Sequence, residues 1–499
     1  MPLPRIAIAL AAVTSLTAQA IAGPAAPADD LRERLAAVFD TAEVNALWAA
    51  KVVSLDTGEV VFERNPRLLV MPASTMKVVT LAVAAERLGW DARFTTRIET
   101  TGPLEDGVLR GDLIVTGDGD PTIGEREDNP GVLDDWAGRL ATLGIRRVEG
   151  RLIGDDDVLP DQALGSGWAW DDLAFGYATP LGALQFYEST ARVVISAGPR
   201  ADTPATIRLE PASTEFVVTG QVSTTDADTP AAIFTRRRPF SRTLEVIGTV
   251  PRTDRDYVRT VSIDNPTRAF VLGFRDALTR AGIALAGDVS DIDDLAARPS
   301  APRRLLFVHE SPPLREIGVR LMKVSQNLIA ETLNARIGLA SDVPDVDPMA
   351  AARGAYERTL AAWGVPVDDV IIADGSGLSR YDYLTVDALV AVLRRMADTP
   401  RDAAAFEATL PILGIDGTLE KRLRGSRAEG RVHAKTGSMS NVRALAGYVT
   451  TLTGERLAFA IIANNFKVRG SAIDAITDRA LTALVAKERA TAAPGGDSR

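Results

Sequence analysis

A serine and a lysine three positions apart, Ser74 and Lys77, stand at the head of an apolar run over residues 78–85. Helical spacing places the two side chains on one face, and Gly89 provides a C-terminal stop. Because the run is apolar on nearly every side, it predicts a helix buried inside a domain. Burial lowers the pKa of a lysine, so Lys77 can accept the hydroxyl proton of Ser74. The pair is therefore predicted to form a serine nucleophile with a lysine base.

Two further motifs follow the first one along the chain. They are Ser325-Gln-Asn327 and Lys435-Thr-Gly437-Ser438. Any one of the three has an ordinary structural explanation, such as a capping serine beside a lysine that reaches to solvent. In this order, however, they match the Ser-x-x-Lys, Ser-x-Asn and Lys-Thr-Gly set of penicillin-binding proteins and serine β-lactamases. We therefore interpret all three motifs as parts of one acyl-transfer site.

The second motif is predicted to lie on a loop. Ser325 and Asn327 are two positions apart and cannot share a helix face, so they fit a loop that leads into a helix beginning near Leu328. There Ser325 can hydrogen-bond the lysine and pass a proton to a leaving amine. The amide of Asn327 can hold a substrate carbonyl or the lysine itself. The alternative is a helix cap and a surface amide.

The third motif has the composition of a strand that lines a cleft. Gly437 would let a substrate backbone approach closely, as at an edge strand. Lys435 and the hydroxyls of Thr436 and Ser438 offer charge-assisted contacts to a terminal carboxylate. The backbone N–H of Ser438 with that of Ser74 is expected to form an oxyanion hole. A β-turn with a solvated lysine is the alternative.

The composition restricts the chemistry further. The chain has no cysteine, which excludes disulfides and cysteine ligands, and its two histidines are His309 and His433. A histidine-rich metal site is excluded, and a Ser-His-Asp triad is disfavoured. His433 is placed on one strand face with Lys435 and is interpreted as structural. We predict neither a metal nor a cofactor, and the net charge of −10 argues against nucleic acid as a partner.

The N-terminus has the pattern of a secretory signal peptide. A basic start at Arg5 precedes a short apolar segment over residues 6–16, and small residues at Ala20 and Ala22 are cleavage candidates. The segment is too short for a membrane anchor, and no later stretch is a transmembrane candidate. We predict that residues 1–22 are a cleaved signal peptide and that the mature protein is periplasmic, without a transmembrane anchor.

The two ends of the chain together predict one α+β domain. Their signals are a helix over 30–39 and a hairpin over 47–64, then strands over 431–438, 444–451 and 457–464 and a helix over 471–489. Two strands from one end and three from the other predict an antiparallel five-stranded sheet with flanking helices. This catalytic domain is expected to span 28–95 and 301–490, followed by a flexible tail over 491–499.

Residues 96–300 differ in character from both ends. Thr, Val, Asp and Gly alternate there in short runs, for example over 108–116 and 244–250. Regular short strands with turn signals predict a large β-rich insertion of one or two modules. The Pro/Ala-rich stretch over 297–302 is interpreted as part of the linker that returns the chain to the first domain.

Residues 30–95 and 305–485 resemble a known family, the penicillin-binding D-alanyl-D-alanine carboxypeptidase/endopeptidase family (peptidase S13, low-molecular-mass class C penicillin-binding proteins). The segments that carry the resemblance, besides the first two motifs, are 117–121, 374–380, 410–419 and 434–438. It implies a β-lactamase/transpeptidase-like fold, action on peptidoglycan stem peptides and covalent binding of β-lactam antibiotics. It also implies roles for five residues: Ser74 as acylated nucleophile, Lys77 as base, Ser325 and Asn327 as second-motif partners, and Lys435 as third-motif lysine.

Two further stretches are candidates for substrate contact. The aromatic and acidic stretch from Trp168 to Tyr177 resembles a family loop that overhangs the cleft, where Asp172 can meet the amino group of a diamino-acid side chain. Burial of the tryptophans in the core of the insertion is the alternative. Arg380 can pair with a carboxylate of the stem peptide, or else with Asp382 or Asp374.

Three functions remain open at this point. The first is a serine-type D-Ala-D-Ala carboxypeptidase and endopeptidase, which the long insertion favours. The second is a serine β-lactamase, for which some enzymes use a dedicated glutamate that is not evident here. The third is a non-catalytic penicillin-binding sensor, which the three intact motifs disfavour. The preferred stem peptide and the oligomeric state are not evident from the sequence.

Overall fold

The computed structural model describes residues 28–124, 131–159, 164–238, 241–253, 255–341 and 347–488. The predicted signal peptide over 1–22, with its cleavage sites near Ala20 or Ala22, and the predicted tail over 491–499 lie outside these ranges.

Helices and strands alternate irregularly along the chain. The α-helices are α1 (Ala28–Phe39), α2 (Met76–Leu88), α3 (Val132–Thr142), α4 (Pro266–Arg280), α5 (Leu314–Lys323), α6 (Asn327–Leu339), α7 (Pro348–Ala362), α8 (Val386–Asp398), α9 (Pro400–Thr409) and α10 (Gly470–Val485). The strands of the first half are β1 (Leu47–Ser54), β2 (Val60–Arg64), β3 (Thr95–Thr100), β4 (Leu104–Glu105), β5 (Val108–Leu109), β6 (Leu113–Gly117), β7 (Arg147–Val148), β8 (Leu152–Asp155), β9 (Thr190–Ser196), β10 (Thr206–Glu210), β11 (Val217–Thr219), β12 (Val222–Thr225), β13 (Ala232–Arg237) and β14 (Thr243–Pro251). The remaining strands are β15 (Tyr257–Ser262), β16 (Ala284–Leu285), β17 (Val289–Asp291), β18 (Arg304–Glu310), β19 (Val370–Ile371), β20 (Tyr383–Leu384), β21 (Val432–Met439), β22 (Val442–Thr450) and β23 (Arg456–Asn464).

The two ends of the chain build one five-stranded sheet in the order β2-β1-β23-β22-β21. All of its neighbouring strands are antiparallel, as predicted. Side chains alternate between its two faces, because successive residues of a strand point in opposite directions. In β23, Ala458 and Ala460 share a hydrophobic core with α2 and α8. Phe459 and Ile461 share the opposite core with α1 and α10.

Helix α2 lies in the middle of this domain. Its residues from Met76 to Ala85 are buried, and α5, α6, α7 and α8 all contact it. The helix ends at Leu88, and Gly89 follows with a φ of 85°, a value that glycine adopts more readily than residues with a side chain. The apolar run over 78–85 thus folds as predicted, and Lys77 has no exposed surface.

The chain leaves and re-enters this domain through two adjacent strands. Strands β3 and β18 are antiparallel, with Thr95 opposite Glu310 and Thr100 opposite Arg304. Next to them, the backbones of Phe94 and Ser311 are joined by a 2.9 Å hydrogen bond. Because β18 belongs to the sheet of the inserted segment, we propose that the insertion ends near residue 310 rather than at the predicted 300.

The two larger hydrophobic cores in the described part of the inserted segment belong to different sets of strands and helices. The first lies between α3, α4 and the sheet β17-β8-β6-β3-β18. The second is formed by the small sheets β10-β9-β15 and β11-β14-β12, where β13 also pairs with β14. Two modules agree with the sequence analysis, but the helices α3 and α4 and the parallel pairing of β6 with β8 were not predicted.

The insertion packs against the catalytic domain. Leu181 and Ala183 share a small hydrophobic core with Leu328 and Ala335 of α6. A 2.8 Å hydrogen bond from the Gln185 amide to a threonine hydroxyl of α6 accompanies this contact. None of the helices in the described ranges combines the length and the apolar character that a membrane span requires.

Candidate active site

Ser74 lies in a single turn of 3₁₀-helix, Ala73–Thr75, directly before α2. The turn is tied back on itself because the Thr75 hydroxyl donates to the Pro72 carbonyl at 2.7 Å. Ala73 has a φ of 45°, a conformation that costs free energy in a residue with a side chain and is retained only where packing enforces it. Gly377 provides part of that packing, since a Cβ there would lie 1.9 Å from the Ala73 carbonyl oxygen.

Lys77 makes three hydrogen bonds, one for each ammonium proton. Its Nζ lies 2.9 Å from Ser74 Oγ, 2.7 Å from Asn327 Oδ1 and 2.8 Å from the carbonyl oxygen of Ser376. Burial lowers the pKa of Lys77 to about 8, because the ammonium form loses its hydration. A lysine in contact with the serine hydroxyl therefore loses its proton far more readily than one in water.

A buried group of carboxylates lies beneath this lysine. Asp374, Glu331 and Asp382 each favour the ammonium form of Lys77 and limit the fall of its pKa. Burial raises the pKa of Glu331 to about 8, and it raises that of Asp382 well above the ordinary value with the help of the Asp374 carboxylate. The three side chains are at most 3% exposed. They keep negative charge or shared protons next to Lys77.

Glu331 also shapes the loop that contacts Lys77. Its carboxylate accepts the backbone N–H of Gly375 at 3.2 Å and that of Ser376 at 2.9 Å. The carbonyl of Ser376 is thereby aimed at Lys77. Sequence reasoning missed Glu331, although it follows Asn327 by four positions and shares its helix face.

Lys435 is the second fully buried lysine of the site. Its Nζ donates to Ser325 Oγ at 2.8 Å and to the carbonyl of Thr436 at 2.7 Å. Burial, and then the ammonium group of Lys77, lower the pKa of Lys435 well below its ordinary value. Ser325 thus hydrogen-bonds Lys435 of the third motif, whereas the sequence analysis expected it to hydrogen-bond Lys77 of the first motif.

The second motif lies where α6 begins. Ser325 precedes the helix with a φ of 61°, and Asn327 is its first residue. The Asn327 amide accepts from Lys77 and donates through Nδ2 to the backbone carbonyl of Tyr177 at 2.8 Å. Of the two roles that the sequence left open for this amide, the structure has the contact with the lysine.

These groups face a cavity of about 450 Å³. It is lined by Ser74, Ala169, Asp171, Asp172, Tyr177, Ser325, Asn327, Gly377, Leu378, Arg380, Thr418, Thr436, Ser438, Met439 and Ser440. Lys77 and Lys435 lie beneath its floor, since both are fully buried. Thr418, which hydrogen-bonds the Thr436 hydroxyl at 2.8 Å, was not predicted, although it lies in the segment 410–419 that carries the family resemblance.

Gly437 differs in its role from the sequence-based expectation. A Cβ at this position would lie 2.6 Å from the carbonyl oxygen of Pro72. The missing side chain therefore lets β21 approach the nucleophile turn, where the sequence analysis had expected an approach of substrate.

The predicted substrate contacts Asp172, Tyr177 and Arg380 all reach the cavity. The Tyr177 hydroxyl donates to Asp172 at 2.6 Å, which fixes the carboxylate. The alternative partners proposed for Arg380, Asp374 and Asp382, are fully buried and accept backbone N–H groups instead, while Arg380 is exposed.

The tryptophans of the overhanging loop are not buried in the core of the insertion. Trp168 donates its indole N–H to Asp374 at 2.9 Å and so ties the insertion to the catalytic domain. Trp170 is 78% exposed. The sequence analysis had offered burial of both rings as an equal alternative, and the structure does not adopt it.

The two histidines lie outside the cavity lining. His433 Nδ1 is 3.1 Å from Glu407, and His309 Nε2 is 3.5 Å from Asp120. Both imidazoles thus have carboxylate partners of their own. These contacts agree with the structural interpretation of His433.

A cluster of acidic residues lies in the insertion, apart from the cavity lining. The cluster consists of Asp156, Asp291 and Asp293. One carboxylate oxygen from each residue lies within 4.8 Å of the corresponding oxygens of the other two. Burial raises the pKa of Asp156 to about 7, and the other two carboxylates add to this rise. The Thr267 hydroxyl already donates to Asp156 at 2.5 Å, and the Asn265 amide to Asp291 at 2.8 Å.

Comparisons with known proteins agree on one family. The sequence model of the D-Ala-D-Ala carboxypeptidase 3 (S13) family matches residues 31–486. The D-alanyl-D-alanine carboxypeptidase of Actinomadura sp. (strain R39) is 32% identical over 449 residues, which cover 87% of this chain and 81% of that protein.

Solved structures show the same fold. Penicillin binding protein 4 (dacB) from Haemophilus influenzae superposes with a TM-score of 0.77 at 26% identity, covering 92% of this chain and 98% of the other. The same protein in complex with a novel β-lactam has a TM-score of 0.72 at 24% identity, covering 92% and 99%. The predicted α+β fold class, with a β-lactamase/transpeptidase-like domain, is confirmed.

Proposed function

The chain belongs to the D-Ala-D-Ala carboxypeptidase 3 (S13) family, as its motifs predicted, and we propose on this premise that Ser74 forms the acyl-enzyme during cleavage of peptidoglycan stem peptides. It is a serine-type D-Ala-D-Ala carboxypeptidase, a hydrolase. The observation that carries the assignment to Ser74 is its 2.9 Å hydrogen bond to Lys77, a buried lysine whose pKa is lowered to about 8.

The first step is acylation. Neutral Lys77 accepts the hydroxyl proton of Ser74 while Oγ attacks the carbonyl of the penultimate D-alanine. The C–N bond to the terminal D-alanine breaks, and the proton held by Lys77 passes to the leaving amine. Ser325 lines the same cavity but hydrogen-bonds Lys435 in the free enzyme, so it carries this proton only if its hydroxyl turns toward Lys77. The N–H groups of Ser74 and Ser438 stabilise the oxyanion in this proposal.

The terminal carboxylate of the substrate binds at the third motif. The hydroxyls of Thr436 and Ser438 line the cavity and can donate to it. Lys435 lies directly behind them, and its lowered pKa reflects a buried amine that an incoming carboxylate would stabilise as an ammonium ion.

Deacylation uses the same base. Once the D-alanine has left, a water molecule attacks the ester carbon, and Lys77 accepts its proton and returns it to Ser74 Oγ. This regenerates the free enzyme and releases the shortened stem peptide. β-Lactams would acylate Ser74 in the same way, but their leaving amine stays tethered in the site, so hydrolysis of the adduct is expected to be slow.

The far end of the cavity would select the stem peptide. Asp172, oriented by Tyr177, offers a carboxylate to the free amino group of a diamino-acid side chain. Arg380 offers a guanidinium to a carboxylate of the same peptide. Endopeptidase cleavage of cross-linked peptides, in which the leaving group is larger, forms part of this proposal.

We place the reaction in the periplasm. The support for this location is the signal-peptide pattern over residues 1–22 and the exported nature of the peptidoglycan substrate. Sequencing the N-terminus of the protein recovered from the cell envelope tests it. A mature protein that begins after Ala20 or Ala22 is expected, and retention of Met1 would contradict export.

The decisive experiment is incubation of the purified protein with benzylpenicillin, followed by measurement of the intact mass and of D-alanine release from a D-Ala-D-Ala peptide. We expect one stable adduct per chain, mapped to the peptide containing Ser74 and absent in Ser74→Ala, together with peptide turnover. Rapid penicillin hydrolysis without peptide cleavage would indicate a β-lactamase. An adduct without any peptide turnover would indicate a sensor, and no adduct would refute the role of Ser74.

A further inference from the structure

A second cavity, of about 800 Å³, adjoins the active site. Asp171 lines both cavities, so the two are adjacent along the loop that carries Asp172 and Tyr177. The second cavity lies between Trp170 of this loop and the end of the small sheet around β14. A substrate longer than a stem peptide can extend from one cavity into the other without leaving the surface.

The wall of this cavity is the outward face of a sheet. Arg236 on β13 lies opposite Glu245 on β14, and Glu245 lies opposite Thr219 on β11. Leu244 and Val246, which flank Glu245 in sequence, point into the core of the module. This alternation leaves a row of polar side chains on the surface, as the period of two in a strand requires.

The cavity has an excess of positive charge. Three consecutive arginines, 236–238, line it together with two carboxylates, Asp171 and Glu245. The Arg236–Glu245 pair is 3.8 Å apart and exposed, so it contributes little to stability and leaves Arg236 available. Arg238 is exposed as well.

Arg237 is half-buried and forms no ion pair within the described part of the chain, although the Asp264 carboxylate favours its charged form from a longer distance. Its Nη2 donates only to uncharged acceptors: the carbonyls of Leu173 and Ile263 and the hydroxyl of Ser262. Its Nε is buried and makes no hydrogen bond. Burial accordingly lowers the pKa of Arg237. A partly desolvated guanidinium of this kind attracts an anion to the cavity that it lines.

Trp170 adds an aromatic surface to these charges. The ring is 78% exposed although it stands beside a cavity, and an aromatic side chain so placed is typical of a binding surface. Its flat apolar face can stack on a sugar ring while the indole N–H stays available for a polar contact.

We propose that this second cavity binds an anionic sugar–peptide segment of the peptidoglycan polymer, next to the stem peptide held in the active site. Carboxylates of the segment pair with Arg236 and Arg238, and a sugar ring lies on Trp170. The inference rests on the proposed function. The adjacency at Asp171 and the excess of arginine favour this occupant, because peptidoglycan carries both free carboxylates and pyranose rings.

The test compares two substrates in matched variants. Arg238→Ala and Trp170→Ala are assayed for D-alanine release from isolated polymeric peptidoglycan and from a short soluble D-Ala-D-Ala peptide. The first control is Arg358→Ala, at an exposed arginine on α7. The second control is Phe234→Ala, at a 60% exposed aromatic residue that lies on β13, as Arg236 does, but outside the cavity lining.

Each cavity variant is expected to lower kcat/KM on the polymer about tenfold, as expected for the loss of one charge-assisted or stacking contact. Turnover of the short peptide and acylation by penicillin should stay within about twofold of the parent, and both controls should match the parent on both substrates. With polymer in which the carboxylates other than that of the terminal D-alanine are amidated, the difference between Arg238→Ala and the parent protein should disappear.

Equal polymer cleavage by the cavity variants and the controls would overturn the inference while leaving the proposed function intact. So would a change of sedimentation coefficient in Trp170→Ala with unchanged polymer cleavage, which would identify the surface as a contact between protein chains. If the parent protein cleaves neither substrate, the proposed function fails. Co-sedimentation of Ser74→Ala with insoluble peptidoglycan, with and without Arg238→Ala, then still decides the inference.

Discussion

The pKa of Lys77 is set by two opposing electrostatic effects. Burial removes hydration from its ammonium group, while three buried carboxylates stabilise that group. The balance leaves a pKa of about 8, so the neutral amine is present at physiological pH and the ammonium form remains accessible after proton uptake. A base that must both accept and return a proton requires such an intermediate value.

The first prediction tests this lysine directly. Lys77→Ala should lower the rate of acylation by benzylpenicillin by about 100-fold to 10,000-fold, because a positioned base is lost. His433→Gln is the matched control, since His433 hydrogen-bonds Glu407 outside the cavity lining. Acylation followed by intact mass measures both variants, and circular dichroism checks that they fold. Full activity of Lys77→Ala would refute the assignment of the base.

The second prediction concerns the pH dependence of acylation. The rate should rise with pH through about 8 and then level off, because the neutral form of Lys77 is the reactive one. In Glu331→Gln a carboxyl group that raises the pKa of Lys77 is absent, so the midpoint should move to lower pH. Stopped-flow acylation between pH 5 and pH 10 (roughly the span in which His and Lys titrate) measures it. An unchanged midpoint would show that Glu331 acts only on the geometry of the loop.

At the residue scale, the sequence was most informative where the functional residues lie a few positions apart in short motifs. Ser74, Lys77, Ser325, Asn327 and Lys435 were singled out by motif order alone, and the structure brings them into hydrogen-bonded contact. Which lysine contacts Ser325 was not predictable, because that depends on how two distant segments pack.

Glu331 is a residue of the site that sequence reasoning did not find. The residue stands in an ordinary helical stretch, and only its burial against a loop some 40 positions later gives it a role. A carboxylate in sequence is usually a solvated group. No local pattern distinguishes the exception.

At the scale of elements, the loop 374–380 is the part that holds the nucleophile turn in place. Asp374 accepts the backbone N–H groups of Ser376, Gly377 and Ser379. The loop thus has a fixed shape, and Gly377 is its point of contact with the turn that carries Ser74.

The third prediction concerns this contact. Gly377→Ala should lower acylation by at least about tenfold, because the new Cβ would lie 1.9 Å from the Ala73 carbonyl and would displace the nucleophile turn. Gly364→Ala is the control, since its φ of 80° is similar but no atom lies within 4 Å of the added Cβ. The control should cost only roughly 1–2 kcal/mol of stability. Equal acylation in both variants would contradict the proposed contact.

Elements near the chain ends were easier to predict than those of the insertion. Hairpins and amphipathic helices at the ends have strong periodic signals, and their bounds differ from the prediction by few residues. Helix α4 was missed although Asn265 caps it and Pro266 opens it, both of which are recognisable start signals. The many short strand-like runs around α4 led us to assign the whole stretch as β-rich. These two helix signals therefore received no separate weight.

At the scale of the whole molecule, the insertion and the catalytic domain are joined at the active site itself. Tyr177 supplies the acceptor for the Asn327 amide, and Trp168 donates to Asp374. In contrast, the module over residues 190–262 closes on itself, since Thr190 pairs with Ser262 in adjacent antiparallel strands.

The fourth prediction uses two nested deletions. Replacing residues 95–310 by a short Gly/Ser link between Phe94 and Ser311 should abolish acylation by penicillin, since the contacts of Tyr177 and Trp168 are lost. Replacing only residues 191–261 should preserve acylation, because those contacts remain. Mass spectrometry with benzylpenicillin measures both, and gel filtration excludes aggregates. Full acylation by the larger deletion would show that the insertion does not help to build the site.

The order of the central sheet has a consequence for the timing of activity. Strand β1 pairs along its length with β23, with Ser54 opposite Leu457, and the Asn464 side chain accepts the backbone N–H of Met71 just before the nucleophile turn. Pairings between such distant parts of a chain form late, because long loops must close first. During synthesis, a chain that still lacks β21, β22 and β23 carries Ser74 and Lys77 but only two of the five strands of the central sheet. We therefore expect hydrolase activity only from a chain that is almost complete.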